Sequence, residues 1–376
     1  MNLKESIKNQ VHNKVVNEVD WEDTFSDVKK TCIPQDVLLQ DLNTALVRAL
    51  KPSPKRGKMS MDKPVVHRLD IQKAQDEDGE INIQSFIDNI TDFPTKLITQ
   101  NGKMETTSKG EMWVVNTGIP ALKGIVYDEK GKEFYSINTC PGAGACALVC
   151  YARKGRYIMF DHTSMGLTRR LNLMLNHPET FEQIIYLELK RICVQKNRKG
   201  VKVMMRWNDA GDFFSKGYWN IAERVTARLL REKHDFLSYA YTKMGDYIGD
   251  ISSNILTNFS REANKREMGK VDMDKTKAST IVGKDLFRDL FVLTNRGKID
   301  KGDDGKPMFK DESGRDELKK RLADKYNVSL SSVVYQEELP DEEQEKNSFN
   351  AIVLPSGDSD ESAQRLDVML IFLLIH

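Results

Sequence analysis

The sequence predicts an α/β fold with a TIM-barrel-like or partial (β/α) barrel behind an N-terminal extension. From about residue 113, short apolar runs alternate with helical patterns, as is typical of a parallel sheet. The 376 residues are enough for one large domain or two smaller ones. Residues 1–50 are polar and only weakly periodic, and residues 51–58 have the composition of a linker or exposed loop. We therefore predict an extension or small subdomain over residues 1–105 and a barrel-like, metal-binding domain over residues 106–376; an open sheet fits the same pattern.

Periodicity and turn residues predict the elements in order. Strands are expected at residues 113–115 and 124–127, and a polar turn joins the second to a strand at 134–137. Apolar residues at 3–4 spacing then indicate helices. The remaining pattern predicts helices at 163–175, 178–194, 218–230 and 317–327, strands at 201–207, 236–242, 254–260, 280–282, 290–294 and 330–335, and a hairpin or loop at 295–316.

Composition and charge exclude several classes of protein. The net charge of +1 gives no global basic excess of the kind that marks nucleic-acid-binding chains. The N-terminus is polar and lacks the apolar segment of a signal peptide. The longest apolar run, residues 368–375, is too short to span a bilayer. We therefore expect a cytoplasmic protein with no membrane partner, in a compartment where structural disulfides are rare.

Three of the five cysteines lie in Cys140-Pro-Gly-Ala-Gly-Ala-Cys146-Ala-Leu-Val-Cys150. Clustered thiolates suit a soft metal or an iron–sulfur cluster, and three ligands leave one coordination position open. The glycines let the loop fold tightly around a bound group. We therefore predict that Cys140, Cys146 and Cys150 bind one metal site, with iron–sulfur favoured over zinc. A structural zinc completed by His162 or His177, and three free thiols, are the alternatives.

Two carboxylates follow the strand at 201–207, in Asn208-Asp209-Ala210-Gly211-Asp212. Active sites of parallel α/β proteins lie at the carboxyl ends of the strands. Asp209 and Asp212 are therefore the predicted catalytic residues, one as general base and the other as its orienting partner. The plain alternative is that Asp212 or Ser215 caps the next helix.

Other polar residues near these motifs are candidates for cofactor binding. Tyr241 and Lys243 end the strand at 236–242 and could face a substrate or phosphate, although alternation of core and surface residues also accounts for them. Tyr151, directly after the last clustered cysteine, and Arg206 complete the predicted cofactor-binding set. The region after the cysteines is basic, which suits an anionic ligand or a solvated helix face; its cations are Arg153, Lys154, Arg156, Arg169 and Arg170.

Several motifs, in order, resemble the phage gene product eighty-eight domain family. The resemblance covers residues 113–262 and rests on Thr139-Cys-Pro-Gly-Ala, Cys150-Tyr-Ala, Asn172, Gly211-Asp-Phe-Phe-Ser and Ala240-Tyr-Thr-Lys. The cysteine pattern is also similar to that of radical S-adenosylmethionine enzymes, although five and three residues separate the cysteines here, where those enzymes have three and two. The resemblance implies a 4Fe–4S cluster on the cysteines, S-adenosylmethionine as a second cofactor, and a location in the host cytoplasm.

A second resemblance concerns the aspartate turn. Asp209-Ala-Gly-Asp-Phe-Phe is similar to the Asp-Ser-Gly-Gly-Phe-Gln turn of tRNA-guanine transglycosylases, zinc-containing barrels in which the aspartate works at the exchanged base. Together the resemblances imply a phage metalloenzyme that acts on a nucleic acid or nucleotide, either radical-enzyme-like or a zinc-containing base-exchange enzyme for DNA modification. A non-enzymatic phage protein that binds a host factor is the third hypothesis.

Overall fold

The computed structural model describes residues 21–50, 74–75, 77–108, 110–153, 157, 161–248, 253–295, 297–302, 307–339, 349–354, 361–365 and 367–374. The strands, in chain order, are β1 (Lys30–Ile33), β2 (Met112–Asn116), β3 (Lys123–Asp128), β4 (Glu133–Asn138), β5 (Lys202–Trp207), β6 (Phe236–Thr242), β7 (Ile255–Ser260), β8 (Ala278–Val282), β9 (Val333–Tyr335), β10 (Phe349–Leu354) and β11 (Val368–Leu374). The helices are α1 (Gln35–Leu50), α2 (Ile83–Thr91), α3 (Gly102–Thr107), α4 (Cys146–Val149), α5 (Asp161–Asn176), α6 (Pro178–Asn197), α7 (Lys216–Arg231), α8 (Lys265–Met268), α9 (Ser313–Tyr326) and α10 (Glu361–Gln364).

The larger sheet has eight strands in the order β2-β5-β6-β7-β8-β11-β10-β9, and every neighbouring pair is parallel. This parallel sheet curls into a half-barrel, which confirms the predicted α/β partial barrel. A separate antiparallel sheet has the order β1-β4-β3.

The strand order also explains why the barrel stays open. From β2 to β8 the strands follow chain order, whereas β11, β10 and β9 run back toward β8. Parallel crossovers are almost always right-handed, so reversing the direction of travel moves the connecting helix to the opposite face of the sheet. Accordingly Ala363 of α10 packs on the concave face, with Val114, Met204, Tyr239 and Ile371. A helix therefore fills the space inside the half-barrel.

The convex face carries the long helices. Residues of α5, α6 and α7 share one core with the outward side chains of β5 and β6, among them Trp207 and Ala240. A second core joins α9 to β8, β9 and β11. In the described residues no helix is long and apolar enough to cross a membrane. Residues 368–374 of the apolar run form β11, a strand paired on both sides.

Most predicted elements are present within a few residues of their expected bounds. The strand predicted at 290–294 is wrong: Phe291 and Leu293 form only isolated bridges, to Phe309 and Ile299. A hairpin-like excursion thus begins earlier than the polar composition of residues 295–316 indicates. The division at residue 105 stays a prediction, and residues 1–20 and 51–73 of the extension lie outside the described part of the chain.

Candidate functional site

The cysteine loop is fixed against the carboxyl ends of β6 and β7. The backbone N–H of Gly144 donates to the carbonyl of Glu262 at 3.1 Å, and the N–H of Asn264 donates to the carbonyl of Gly142 at 2.9 Å. The Asn264 side chain adds a bond to the carbonyl of Pro141, also 2.9 Å. The loop is therefore part of the same sheet edge at which the aspartate turn lies.

The glycines of the loop are needed for close approach. A Cβ at Gly142 would lie 2.5 Å from the carbonyl oxygen of Lys243, and one at Gly144 would lie 2.7 Å from the backbone of Ala263. Both distances are shorter than van der Waals contact with backbone atoms that cannot easily move. Only glycine, which lacks a Cβ, lets the loop pack onto the strand ends.

The three clustered thiols lie within electrostatic reach of one another. Burial raises the pKa of Cys140 to about 12, and the charges of Asp212 and Cys150 raise it further. Burial also raises the pKa of Cys146, against the opposing charge of Lys243. The Sγ of Cys140 accepts a hydrogen bond from the Leu122 N–H at 3.3 Å. Such amide–sulfur bonds stabilise thiolate ligands.

The charge of Lys243 interacts both with Asp212 and with two of the thiols, Cys140 and Cys146. Burial lowers the pKa of its ammonium, but the charges of Asp212, Cys146 and Cys140 outweigh burial and raise the pKa above its usual value. Lys243 is therefore a cation at neutral pH, and its charge favours ionised thiols beside it.

A ready-made metal site is absent from the described residues, where no three His, Cys, Asp or Glu side chains are grouped to hold an ion. His177, one of the predicted fourth ligands, instead contacts Glu129 at 3.1 Å. Cys193 is buried in the core of the convex face. His162, the other predicted fourth ligand, lies in the first turn of α5.

Asp212 is fully buried and has both carboxylate oxygens occupied. Oδ1 accepts hydrogen bonds from the Phe213 N–H at 2.8 Å and the Thr242 hydroxyl at 2.6 Å. Oδ2 accepts from the Lys243 N–H at 2.9 Å. The Asp212 N–H donates to the carbonyl of Thr139, 3.0 Å away. The residue therefore joins the turn after β5 to the end of β6 and to the start of the cysteine loop.

Asp209 has a different environment. Its Oδ2 accepts hydrogen bonds from Asn116 at 2.5 Å, Tyr157 at 3.1 Å and Asn101 at 3.2 Å. No described group donates to Oδ1. Burial raises the pKa of the Asp209 carboxyl, and the charges of Arg206 and Arg170 oppose that rise. The carboxylate is thus held by one oxygen and keeps the other unoccupied.

The backbone around Asp209 is shaped to leave room for it. Asn208 and Gly211 have φ values of 58° and 79°, so the turn passes twice through the left-handed region. A Cβ at Gly118 would lie 2.1 Å from Asp209 Oδ1. Gly118, two residues after the end of β2, therefore makes the space that Oδ1 occupies.

Two tyrosines connect the residues after the cysteine loop to Asp209. More than half of Tyr151 is exposed, but its hydroxyl reaches inward and donates to the carbonyl of Asp209. Burial of that end raises the pKa of Tyr151 to about 12, although the charge of Arg206 opposes the rise. Burial and the charge of Asp209 also raise the pKa of Tyr157. Both phenols therefore keep their protons at neutral pH.

Arg206 and Tyr241 lie side by side next to this group. The guanidinium carbon of Arg206 lies 5.0 Å from the centroid of the Tyr241 ring, a cation–π arrangement. Arg206 is buried and its charge acts on both Asp209 and Tyr151. The pair extends the polar site from Asp209 onto β6.

The structure thus forms two adjoining groups from the predicted residues. Tyr151, Arg206 and Tyr241 lie with Asp209; Lys243 and the cysteines lie with Asp212. Ser215, and not Asp212, caps α7, since its hydroxyl accepts from the Tyr218 N–H at 3.1 Å. Two surface depressions lie elsewhere, on α6 beside Arg191 and on the 284–321 region.

Sequence reasoning missed several residues of the site. Asn116 directly follows the strand predicted at 113–115, which pairs with the one that leads to Asp209, and this position could have drawn attention to it. Arg170 was visible only as part of a basic stretch. Nothing in the local sequence indicates Asn101, which is 108 positions before Asp209 and contacts it through the fold.

A family model described as gene product 88 matches residues 95–287. The chain belongs to the gene product 88 family. The match includes the cysteine loop, both aspartates and β5 to β8, and it confirms the family predicted from the motifs. No curated protein and no solved structure matches the chain. The resemblances to radical enzymes and to transglycosylases stay predictions.

Replacement of Asp212 should destabilise this gene product 88 protein. Both carboxylate oxygens of Asp212 accept hydrogen bonds. In Asp212→Asn the N–H₂ group of the amide replaces one of these oxygens and faces a hydrogen-bond donor, and the negative charge next to Lys243 is lost. We expect the free energy of unfolding to fall by about 2–4 kcal/mol in denaturant titrations. Asp246→Asn, at an exposed ion pair with Lys270, is the control and should change it by less than about 1 kcal/mol. Equal effects would contradict the assigned role.

Asp209→Asn should show a characteristic pH dependence. Burial raises the folded-state pKa of Asp209 above its ordinary 3.8, so its ionisation costs folding free energy. As the pH rises from about 3.8 through the folded-state pKa, the free energy of unfolding of wild type should fall relative to that of Asp209→Asn. Above the folded-state pKa this difference in free energy should stay constant. Denaturant titrations across this range measure it. A difference that is constant or of opposite slope would show that the carboxyl is not destabilised by burial.

Proposed function

We propose that this protein is an enzyme whose active site surrounds Asp209, at the carboxyl ends of β2, β5 and β6. One observation carries the proposal: a buried carboxylate is held by three donors on Oδ2 while Oδ1 has no described partner. A carboxyl with a raised pKa and one open oxygen suits a general base better than a structural link.

The surrounding residues have distinct proposed roles. Asp209 takes a proton through Oδ1, and Tyr151 and Tyr157, which stay protonated, donate hydrogen bonds around it. Arg206 with Tyr241, and Lys243, bind the cofactor or substrate. Asp212 positions the turn, and any direct part in catalysis stays a prediction. The catalytic step is thus proton abstraction next to a cationic group.

We propose a nucleic acid or nucleotide as substrate and the cytoplasm of a phage-infected host as the location. The guanidinium charges of Arg170 and Arg206 both act on Asp209, and they favour an anionic substrate. The Arg206–Tyr241 pair also offers planar surfaces of the kind that bind bases. The motif resemblances to enzymes that act on nucleosides support the same class.

We further propose that the cysteines bind a metal, in first place a 4Fe–4S cluster. Three thiols, an amide bond to Cys140 and the Lys243 cation fit such a group chemically. Because the described residues do not group the thiols into a formed site, binding would draw Cys146 and Cys150 toward Cys140. A cluster with an open position would supply electron-transfer or Lewis-acid chemistry, with S-adenosylmethionine as its proposed ligand. Zinc is the alternative.

Modified nucleosides provide the test of the enzyme proposal. DNA and RNA from cells that produce wild type or Asp209→Asn are digested and analysed by mass spectrometry. We expect a nucleoside that only wild type generates, reduced at least about 100-fold by Asp209→Asn because a general base contributes on that order. Asp246→Asn serves as the matched control. Identical nucleoside profiles for producing and non-producing cells would favour a protein that binds a host factor instead.

Metal content tests the cysteine proposal separately. Protein purified without oxygen should be coloured and contain iron, and Cys146→Ser should lose that iron. Cys32→Ser, which changes an exposed cysteine outside the loop, should retain it. Colourless protein containing zinc would support the transglycosylase-like alternative. Wild type without either metal would leave the three cysteines as free thiols.

A further inference from the structure

Arg170 on α5 is a buried cation that lacks a matching anion. Only 9% of the residue is exposed. One Nη donates to the carbonyl of Lys96 at 3.3 Å, and Nε has no hydrogen-bond partner. Arg169, directly before it, is satisfied: its Nε donates to the Asn89 carbonyl at 2.7 Å, and an Nη lies 3.3 Å from Asp92. A buried guanidinium without such partners is costly.

The two carboxylates whose charges act on Arg170 make their hydrogen bonds to other groups. Glu188, whose charge acts on Arg170, accepts from the N–H groups of Leu97 at 3.1 Å and Ile98 at 2.8 Å. Asp209 Oδ2 is held by its three side-chain donors. Among the described residues neither carboxylate is hydrogen-bonded to Arg170. The guanidinium therefore lies near negative charge without forming the paired bonds for which its shape is suited.

A second buried donor lies in the same region. Asn208 Nδ2 has no hydrogen-bond partner, and Asn208 is 4% exposed. The Asn208 Oδ1 accepts from the Tyr218 hydroxyl at 2.7 Å, and the charge of Arg170 reaches that same tyrosine. Two buried donors without partners thus belong to residues that both interact with Tyr218, and Asn208 directly precedes Asp209 in the chain. Donors in excess of acceptors are what an oxyanion requires.

We propose that Arg170 is the anion-binding group of the active site and that it holds a phosphate of the substrate through Nε and one Nη. This inference rests on the proposed function and gives it a substrate class, a phosphate-bearing nucleotide unit. A guanidinium fork matches two oxygens of a phosphate or a carboxylate. The phosphate would lie next to Asp209, so the group that loses a proton belongs to the attached nucleoside.

The test compares Arg170→Gln and Arg170→Lys with Arg169→Gln, which removes the already paired neighbour. Calorimetry measures the binding of each common 5′-nucleoside monophosphate, the matching nucleoside and sodium acetate. Wild type and Arg169→Gln should bind a monophosphate about ten-fold or more tightly than its nucleoside. Arg170→Gln should lose this preference, and Arg170→Lys, which keeps the charge without the fork, should retain part of it.

Some results would overturn the inference. Equal preference in Arg170→Gln and wild type would do so, as would acetate binding as tight as that of the monophosphate, which would assign the site to a carboxylate. If Arg170→Gln does not fold, Arg170→Lys decides, together with the thermal midpoint of wild type in potassium phosphate and in potassium chloride of equal ionic strength. Equal midpoints would overturn the inference, and a higher midpoint in phosphate that is reduced in Arg170→Lys would support it.

The failure of this inference is distinguishable from that of the proposed function. Arg170-dependent phosphate binding with no nucleoside change that depends on Asp209 would refute the enzyme proposal and leave the anion site in place. An Asp209-dependent product, together with phosphate binding that Arg170→Gln does not affect, would refute the anion site at Arg170 and leave the enzyme proposal in place.

Discussion

The carboxylate of Asp212 is the interaction on which the candidate site depends. Buried completely, it accepts from the Phe213 N–H, the Thr242 hydroxyl and the Lys243 N–H, while its own N–H donates to Thr139. These bonds join the turn after β5, the end of β6 and the residue before Cys140.

The two aspartates of one short motif illustrate how environment assigns a role. Both are buried, but Asp212 has each carboxylate oxygen bonded, whereas the hydrogen bonds to the Asp209 carboxylate all go to Oδ2. The difference comes from what faces them: strand-end amides and a hydroxyl for Asp212, and Gly118 for Asp209 Oδ1. A carboxylate satisfied on both sides holds structure; one with an open oxygen can react.

The half-barrel gives this site its position. Parallel strands bring the ends of β2, β5, β6 and β7 to one edge, and the glycines at 142 and 144 let the cysteine loop lie on that edge. Reversal of the strand order after β8 places α10 inside the curl, so the concave space below the site is filled by packed side chains. The polar residues are therefore confined to the rim of the sheet.

The sequence by itself determined the α/β class, most elements, the family and the two motifs, because hydrophobic periodicity, glycine and cysteine spacing are local properties. It also indicated that both motifs follow strands, which places them on one edge. Tertiary structure alone decided that Asn101, Asn116, Tyr157 and Arg170 surround Asp209, since these contacts join residues far apart in the chain. It likewise decided that the apolar run starting at residue 368 forms β11, an interior strand, because strand order depends on crossover handedness and packing and not on local pattern.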